Sequence, residues 1–265
     1  MSIITLLTDF GSQDYFVGAM KGAILSINRH ALIIDITHEI PPQDIEAAAF
    51  NLLATYKDFP AGTIHVAVVD PGVGSTRKPI LIECGEQFFV GPDNGIFSWI
   101  CEREGSSRAI HLNNEAFFRH PVSKTFHGRD IFAPVAAALS TGVAMTELGE
   151  KLIEYARLDP LLAAVRSDGR VEGRVIHIDR FGNCITNLTP AHFSSDQAAA
   201  GAQLVINDRE LTSFRQSFSE AAVDRDDLFF LVGSAGFLEI AARNSSAAKV
   251  LNAERGQSVV VTGSR

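Results

Sequence analysis

Polar side chains that could do chemistry occur in three short segments of the first half of the chain. Asp9 and Asp14 belong to TDFGSQD, and Asp70 and Arg77 bracket DPGVGSTR. His127 begins HGRD. A carboxylate there can hold vicinal ribose hydroxyls or face a cation, and a histidine beside arginine and aspartate can hold a water and manage its proton. Because ligands of open α/β sheets bind at the carboxyl ends of the strands, we expect these segments to share one rim.

Each of these residues also has a structural interpretation. Asp9 and Asp14 suit a turn and a helix N-cap. Asp70 and Arg77 could tie the ends of a surface loop, in an ion pair that contributes little. His127 could cap or pack against the helix that follows it. These alternatives stay open from the residues alone.

The second half of the chain holds further polar turns. The segment DRFGN, which begins at Asp179 and ends at Asn183, predicts a tight connection between strands. Ser234 lies in a similar turn, GSAGF. Composition alone places Phe218 in the core. By themselves these segments predict structure more than function.

Strand and helix patterns alternate over the first 150 residues or so. Continuous apolar runs predict strands, and apolar residues at helical spacing predict helices. The pattern implies right-handed crossovers and a largely parallel sheet. The predicted elements are strands at Ile3 to Thr8, Ala31 to Ile36 and Thr63 to Val69, a hairpin of Ile80 to Glu83 with Gln87 to Val90, and helices at Tyr15 to Arg29, Asp44 to Tyr56, Gly95 to Arg103 and Ile131 to Leu139.

The pattern changes after about residue 155. Short alternating strands separated by Gly, Asn, Asp and Ser turns predict a small antiparallel barrel or sandwich. We therefore predict an α/β domain over residues 1–158 and an all-β, barrel-like domain over residues 168–265, joined by Tyr155 to Asp168. The predicted strands are Val171 to Ile178, Ala202 to Ile206, Leu228 to Val232, Phe237 to Ala241 and Ser258 to Val261.

Composition excludes several classes of protein. The 265 residues carry a formal net charge of −8, which argues against nucleic-acid binding through phosphate contacts. The N-terminus has no basic region typical of a signal peptide, and no run approaches the ~20 apolar residues of a membrane span. Cys84, Cys101 and Cys184 show no C-x-x-C spacing, so we expect three reduced, mostly buried thiols and a cytoplasmic protein without a membrane partner.

Seven segments together resemble one enzyme family. In chain order they are TDFGSQD, THEIPPQDIEAAA, VVDPGVGSTR, GPDNG, FHGRD, IDRFGNCITN and GSAGFLEIAARN. They are similar to S-adenosyl-L-methionine (SAM) hydrolases of the adenosine-forming type, also called SAM hydroxide adenosyltransferases, which are related to fluorinase and chlorinase. The resemblance implies hydrolysis of SAM to adenosine and L-methionine by in-line attack of an activated water on the ribose 5′ carbon. SAM would be the substrate, with neither cofactor nor metal.

The resemblance also implies roles for particular residues and an assembly. An Asp–Arg–His set that orients and activates water matches Asp70, Arg77 and His127. The chains would form a homotrimer, with the ligand between one subunit's first domain and a neighbour's second. The implied binding residues are Asp9 on the ribose hydroxyls, Asp14, Asp179 and Ser234 on the methionine part, and Asn183, Phe218, Arg243 and Asn244 on the adenine.

Two departures from the halogenating relatives matter. Those enzymes carry a tyrosine at the position of His127 and a long insertion between the segments that match Lys78 and Val90. Both features are absent here, which favours hydroxide over halide as the nucleophile. Ala235 stands where fluorinase has an arginine, so the group that holds the methionine carboxylate is left open.

Two alternatives come from other functional classes. A strand followed by paired aspartates also resembles metal-dependent nucleoside hydrolases, although these need a denser aspartate cluster than Asp9 and Asp14. A protein that binds adenosine or SAM without turning it over would use the same adenine contacts. Such a binding protein has no need of Asp70, Arg77 and His127, so this set favours an enzyme.

Overall fold

Two separate sheets organise the chain. The computed structural model describes residues 2–220 and 227–263, and the chain divides into two compact units, Met1–Pro160 and Leu161–Arg265. Each unit has its own hydrophobic core. No helix among the described residues is long and apolar enough to cross a membrane.

The first unit is built on a mixed seven-stranded sheet in the order β2-β1-β3-β5-β4-β6-β7. The strands β2, β1, β3 and β5 pair in parallel, and the remaining pairings are antiparallel. The strands are β1 (Ile3–Thr8), β2 (Leu32–Thr37), β3 (Ile64–Val68), β4 (Pro79–Cys84), β5 (Gln87–Pro92), β6 (Arg108–Leu112) and β7 (Gly149–Leu152).

Four helices accompany this sheet: α1 (Phe16–Ile27), α2 (Ile45–Thr55), α3 (Ser98–Glu104) and α4 (Ala133–Ser140). Helices α1 and α4 pack on each other and share a core with one face of the sheet, whereas α2 contacts α3 and β1. All five residues of β3 are buried, as expected of a central strand covered on both faces. A π-helical turn, Gly128–Phe132, leads into α4, and short 3₁₀ turns occur at Tyr56–Asp58, Glu115–Phe117 and Met145–Glu147.

The second unit is an antiparallel sheet in the order β12-β11-β15-β9-β10-β14-β13, with β8 pairing on β9. A bridge between Phe214 and Phe230 nearly closes it into a barrel. Its strands are β8 (Ala164–Val165), β9 (Val171–Ile178), β10 (Cys184–Thr186), β11 (Gln203–Ile206), β12 (Arg209–Leu211), β13 (Leu228–Val232), β14 (Leu238–Ala242) and β15 (Ser258–Thr262), and its helices are α5 (Ser195–Ala199) and α6 (Ala247–Leu251), with a 3₁₀ turn at Phe218–Glu220.

The predicted elements recur in the structure with shifts of a few residues at their ends. The β4–β5 hairpin is confirmed, and the three cysteines are free and buried, as expected. The strands β6, β7, β8, β10 and β12 were not predicted, because they are two to five residues long and several carry charged side chains. The predicted connection, residues 155–168, contains one of them, β8.

A buried histidine lies in the middle of the first sheet. His65 on β3 is fully buried; its Nδ1 lies 2.8 Å from Thr5 Oγ1 and its Nε2 lies 3.1 Å from Gln87 Oε1. The Gln87 amide nitrogen donates to the carbonyls of Tyr56 and Phe59, so its oxygen faces the ring and the ring donates from Nε2. Burial lowers the pKa of His65 to about 4, against a smaller raising effect of Gln87.

This histidine makes stability depend on pH. The unfolded chain binds a proton at His65 below pH about 6.5, whereas the folded chain stays neutral down to about 4, so stability is lost as pH falls through that window. We expect the loss to approach about 3 kcal/mol between pH 7 and pH 4. Urea unfolding of the wild type and of His65→Gln across this pH range measures this contribution as the difference between their unfolding free energies. The exposed His30→Gln should keep the wild-type slope, and a slope unchanged in His65→Gln would contradict the assignment.

Candidate active site

A pocket of about 290 Å³ lies where β1 and β3 end. The carboxylates of Asp9 and Asp70 and the ring of His127 line it, together with Gln43 and Thr125. The three polar segments singled out in the sequence therefore meet at one rim of the sheet. This is the position that strand topology favours for a ligand.

Arg77 is not among the residues that line the pocket, but one of its nitrogens joins two residues that are. Nη2 donates to Asp70 Oδ2 and also lies 2.9 Å from His127 Nδ1, while Nε donates to Asp70 Oδ1 at 2.8 Å. The side chains of Arg77 and Asp70 are only 10% and 6% exposed. The ion pair of the structural interpretation is therefore present, but it is bidentate and well shielded, unlike the weak surface pair expected there.

The arginine determines which nitrogen of His127 carries a proton. A guanidinium remains protonated in proteins and can only donate, so Nδ1 must be the accepting nitrogen. Burial first, and then the charge of Arg77, lower the pKa of His127 below its usual value, against the opposing effects of Asp70 and Asp130. At neutral pH the ring is therefore neutral, and its Nε2–H is a hydrogen-bond donor.

The guanidinium of Arg77 also packs against an aromatic ring. The Arg77 Cζ lies 5.2 Å from the ring centre of Phe132, a fully buried residue of the π-helical turn. A cation over an aromatic face is favoured by the ring quadrupole. Nη1 has no hydrogen-bond partner among the described residues, so one donor of the guanidinium remains available.

The loop that carries Asp70 and Arg77 depends on a glycine. Gly74 has a φ of +77°, and a Cβ built there would lie 2.3 Å from the carbonyl oxygen of Lys124. Lys124 is three residues before His127 in the chain. Only glycine therefore lets the Asp70–Arg77 loop approach the segment that carries the histidine.

A second carboxylate holds the histidine segment. Asp130 is fully buried and accepts from Arg129 Nε at 2.7 Å, Arg129 Nη2 at 2.9 Å and the backbone nitrogen of Ser123 at 2.9 Å. Burial opposes ionisation of Asp130, but the hydrogen bonds of Arg129 and Ser123 outweigh it and lower its pKa below the usual value. The sequence analysis did not single out Asp130; an aspartate inside an otherwise apolar helical segment was the available signal.

Asp9 and Asp14 occupy different environments. Asp9 Oδ2 accepts from the backbone nitrogen of Gln43 at 2.8 Å, and the preceding Thr8 is fully buried against His38. Asp14 is exposed and does not cap α1, whose N-cap is Tyr15 without a side-chain hydrogen bond. The N-cap interpretation of Asp14 is therefore wrong, and Asp14 is not among the residues that line the pocket.

The second unit has a pocket of its own, of about 590 Å³. It brings together Asn183, Phe218 and Asn244, three of the residues associated with adenine in the sequence analysis. Phe218 is 54% exposed, so the expectation from composition that it lies in the core is wrong. Phe181, 77% exposed, lines the same pocket and was missed, although a phenylalanine inside a polar turn was a visible signal.

The remaining predicted residues of the second unit do not line that pocket. The Asp179 carboxylate accepts from the backbone nitrogens of Phe181 and Asn183 and from the Asn183 side-chain nitrogen, at 2.8–2.9 Å. It therefore shapes the turn and orients the Asn183 amide. Ser234 is exposed in the turn between β13 and β14, and Arg243 is half-buried next to the lining residue Asn244.

Two family models match most of the sequence. The N-terminal domain of SAM hydroxide adenosyltransferase matches residues 4–149, and the C-terminal domain of the same family matches residues 173–260. The chain belongs to the SAM hydroxide adenosyltransferase family. The resemblance drawn from seven segments of sequence is thereby confirmed.

Relatives of this family cover nearly the whole chain. An (R)-S-adenosyl-L-methionine hydrolase of Methanocaldococcus jannaschii is 39% identical, over 96% of this chain and 93% of its own length. A fluorinase of Actinopolyspora mzabensis is 25% identical over 99% and 97%. The crystal structure of a conserved protein of Thermotoga maritima superposes with a TM-score of 0.90 at 36% identity, over 97% of this chain and 99% of the other.

The metal-dependent alternative gains no support from the site. Among residues 2–220 and 227–263, no group of three His, Cys, Asp or Glu side chains lies close enough to hold a metal ion. The positive charge next to Asp70 comes from Arg77.

Gly74→Ala tests whether the approach of the two loops positions the catalytic set. The added methyl group meets the Lys124 carbonyl, so the loop must move, and a shift of about 1 Å at reacting groups can cost 10²-fold in turnover. Gly62→Ala is a matched control, because Gly62 has a similar φ of +79° but open space around its Cβ position. Both variants should lose about 1–2 kcal/mol of unfolding free energy from the left-handed backbone. Equal turnover in the two variants would contradict the positioning role.

Proposed function

We propose that this protein hydrolyses S-adenosyl-L-methionine to adenosine and L-methionine, by in-line attack of a water molecule on the ribose 5′ carbon. The observation that carries the proposal is the shielded Asp70–Arg77–His127 network on the wall of the pocket, in a chain that belongs to the SAM hydroxide adenosyltransferase family. A relative 39% identical to it is named as a SAM hydrolase.

The hydrogen bonds of this network favour Asp70 as the group that accepts the proton of the attacking water. Arg77 can only donate, and neutral His127 has its accepting nitrogen occupied by Arg77. Each carboxylate oxygen of Asp70 has two lone pairs and receives one hydrogen bond from Arg77, so both retain capacity to accept. Asp70 is therefore the proposed general base. His127, whose Nδ1 accepts from Arg77, orients the water by donating a hydrogen bond from Nε2.

The bond changes balance without any further reactant. The water oxygen bonds to C5′ while the C5′–S bond breaks and its electron pair returns to sulfur, which converts the sulfonium to neutral methionine. The water's proton passes to Asp70. The positive charge of Arg77 next to Asp70 stabilises the hydroxide-like oxygen in the transition state, and alignment of the water with the C–S bond lowers the barrier further.

The proposed substrate contacts are those that the family resemblance implies, and four of their residues line the two pockets: Asp9 in the first, and Asn183, Phe218 and Asn244 in the second. Asp9 holds the ribose hydroxyls beside the catalytic set, and Asp14 holds the methionine part together with Asp179 and Ser234. Exposed rings at Phe181 and Phe218 take the adenine by stacking. Asn183 and Asn244 bind its polar edge, and Arg243 lines that edge next to them.

The assembly proposed is a homotrimer. Residues 1–158 form the domain with the catalytic pocket and residues 168–265 the domain with the aromatic pocket, and each site joins the first domain of one chain to the second domain of a neighbour. The pocket of about 290 Å³ contains Asp9 and Asp70, whereas the aromatic residues proposed for the adenine line the pocket of the second unit, so a complete site needs both domains. SAM is the only small molecule the reaction requires besides water, and the protein acts in the cytoplasm without a cofactor.

Water is the proposed nucleophile, in contrast to the related fluorinase. The β4–β5 hairpin closes through only Gly85 and Glu86, which leaves no additional segment between Lys78 and Val90. His127 brings a polar ring nitrogen to the pocket. A halide must lose its hydration shell to react, and a polar pocket that hydrogen-bonds water favours water instead.

Single variants separate turnover from binding. Asp70→Asn and His127→Ala should lower kcat by about 10²–10⁴, the usual contribution of positioned acid–base groups, with little change in KM. Asp9→Ala should mainly raise KM, because a lost ribose contact is mostly ground-state binding. Steady-state kinetics with SAM measure both constants. Normal turnover in the first two variants would overturn the assigned roles.

Isotope labelling tests the reaction itself. In ¹⁸O-water the adenosine should carry the label at its 5′ hydroxyl while methionine remains unlabelled, and a substrate chirally deuterated at C5′ should react with inversion. Excess chloride or fluoride should yield little 5′-halogenated nucleoside, and exhaustive chelation should leave the rate unchanged. Free adenine as product would indicate cleavage at the glycosidic bond, and tight binding without any product would indicate a binding protein.

Complementation tests the shared site. Asp70→Asn leaves the second domain intact, and Phe218→Ala leaves the first domain intact. If each site joins two chains, trimers mixed from equal amounts of the two variants should recover about a quarter of wild-type kcat/KM, because one site in four combines two intact halves. Light scattering should give about three times 28.6 kDa. A site confined to one chain would recover nothing on mixing, and a fully active monomer would contradict the assembly.

A further inference from the structure

Two cysteines of the first unit lie side by side. Cys84 ends β4 and Cys101 lies in the middle of α3, and their Sγ atoms are 3.9 Å apart. Both side chains are buried, and neither is in a disulfide. The two sulfur atoms are within hydrogen-bonding distance, so one thiol can donate to the other.

One member of the pair is reached through a cavity. A cavity of about 370 Å³ is lined by Cys101, Glu102, Ser107 and Arg157, among others, whereas Cys84 does not line it. None of its lining residues belongs to the catalytic or the aromatic pocket. A small polar molecule that enters this cavity meets Cys101 first, with an arginine nearby.

The surroundings make the two thiols unequal. The hydrogen bond from Cys84 lowers the pKa of Cys101 to about 7, against the opposing effect of burial, with smaller lowering contributions from Tyr155, Arg157 and Ser107. The same hydrogen bond and burial raise the pKa of Cys84 well above its usual value. The Cys101 thiolate therefore forms more readily than the Cys84 thiolate. Thiolate is the nucleophilic form of cysteine.

We propose that Cys84 and Cys101 form a peroxide-reactive dithiol, in which Cys101 is the attacking sulfur and Cys84 the resolving one. The Cys101 thiolate attacks one oxygen of a hydroperoxide and the O–O bond breaks. This gives a Cys101 sulfenic acid and releases hydroxide, or an alkoxide if the peroxide is organic.

The second step closes a disulfide. The Cys84 sulfur attacks the Cys101 sulfenic sulfur, and the hydroxyl group leaves as water with the Cys84 proton. Two thiols are oxidised by two electrons and the peroxide is reduced by two. The sulfur atoms need to approach from 3.9 Å to about 2.05 Å, and Cys84 lies at the end of its strand, next to the turn at Gly85.

The third cysteine is an internal control. Cys184 in the second unit is fully buried, and burial, with the charges of Asp179 and Glu239, raises its pKa to about 11. It lines neither of the pockets nor the cavity described above. Its thiol is therefore expected to survive treatment that consumes the other two.

The experiment treats the full-length, folded protein with hydrogen peroxide and counts thiols after denaturation. We expect free thiols to fall from three to one, with the loss of two hydrogens from the intact mass. Both cysteines lie between Arg77 and Arg103 without an internal tryptic site, so the linkage is mapped after cleavage at Glu86, which separates them. A dithiol reductant should restore all three thiols.

Variants assign the roles of the two sulfurs. Cys84→Ser should stop at a Cys101 sulfenic acid that dimedone traps, and Cys101→Ser should slow thiol loss at least tenfold. Cys184→Ser should behave as wild type, and near-ultraviolet circular dichroism verifies that each variant is folded. The rate should rise with pH through about 7, as the Cys101 thiolate forms.

Several results would overturn the proposal: three thiols surviving in the folded protein, Cys184 reacting as fast as Cys101, or a linkage only between chains. All of these measurements report the oxidation state of the cysteines and are made without substrate. Failure of the dithiol is therefore distinguishable from failure of the proposed hydrolase.

Discussion

The bridging nitrogen of Arg77 is the interaction on which the catalytic pocket depends. One Nη2 group donates to both Asp70 and His127, and because a guanidinium can only donate, this contact makes Nδ1 the accepting nitrogen of the ring. The contact exists only because two loops meet closely. Gly74 permits that approach, and the buried hydrogen bonds of Asp130 hold the segment that carries the histidine.

The architecture of the sheet explains why these loops can meet. The strands β1 and β3 pair in parallel, so Asp9 and Asp70, which follow them, emerge at the same edge. Both faces of β3 are covered, and the side chains of Asp70 and Arg77, which follow it in the chain, are largely shielded, which strengthens their attraction relative to water. The antiparallel strands of the same sheet contribute the tight β4–β5 hairpin and the site of the cysteine pair instead.

The second unit makes a different contribution, an apolar surface in place of charge. Phe181 and Phe218 remain exposed, although burying such a ring would stabilise the fold by about 1.5–3 kcal/mol. Exposed aromatic rings of this kind are expected where a ligand covers them. The turn that presents Phe181 is held by Asp179, whose carboxylate receives three hydrogen bonds from its own loop. The charged pocket and the aromatic pocket thus belong to different units, each supported by its own core.

The sequence alone determined the family, the strongly periodic strands and helices and the three buried cysteines, because periodicity and ordered motifs are local properties of the chain. It also identified the residues of the Asp70 network as candidates. Only the tertiary structure decided that His127 accepts from Arg77, that Phe218 is exposed, that Asp14 caps nothing, and that Cys84 lies beside Cys101. Short polar strands such as β7 and β12 were missed for the same reason: they are defined by pairing between distant segments, which no local pattern records.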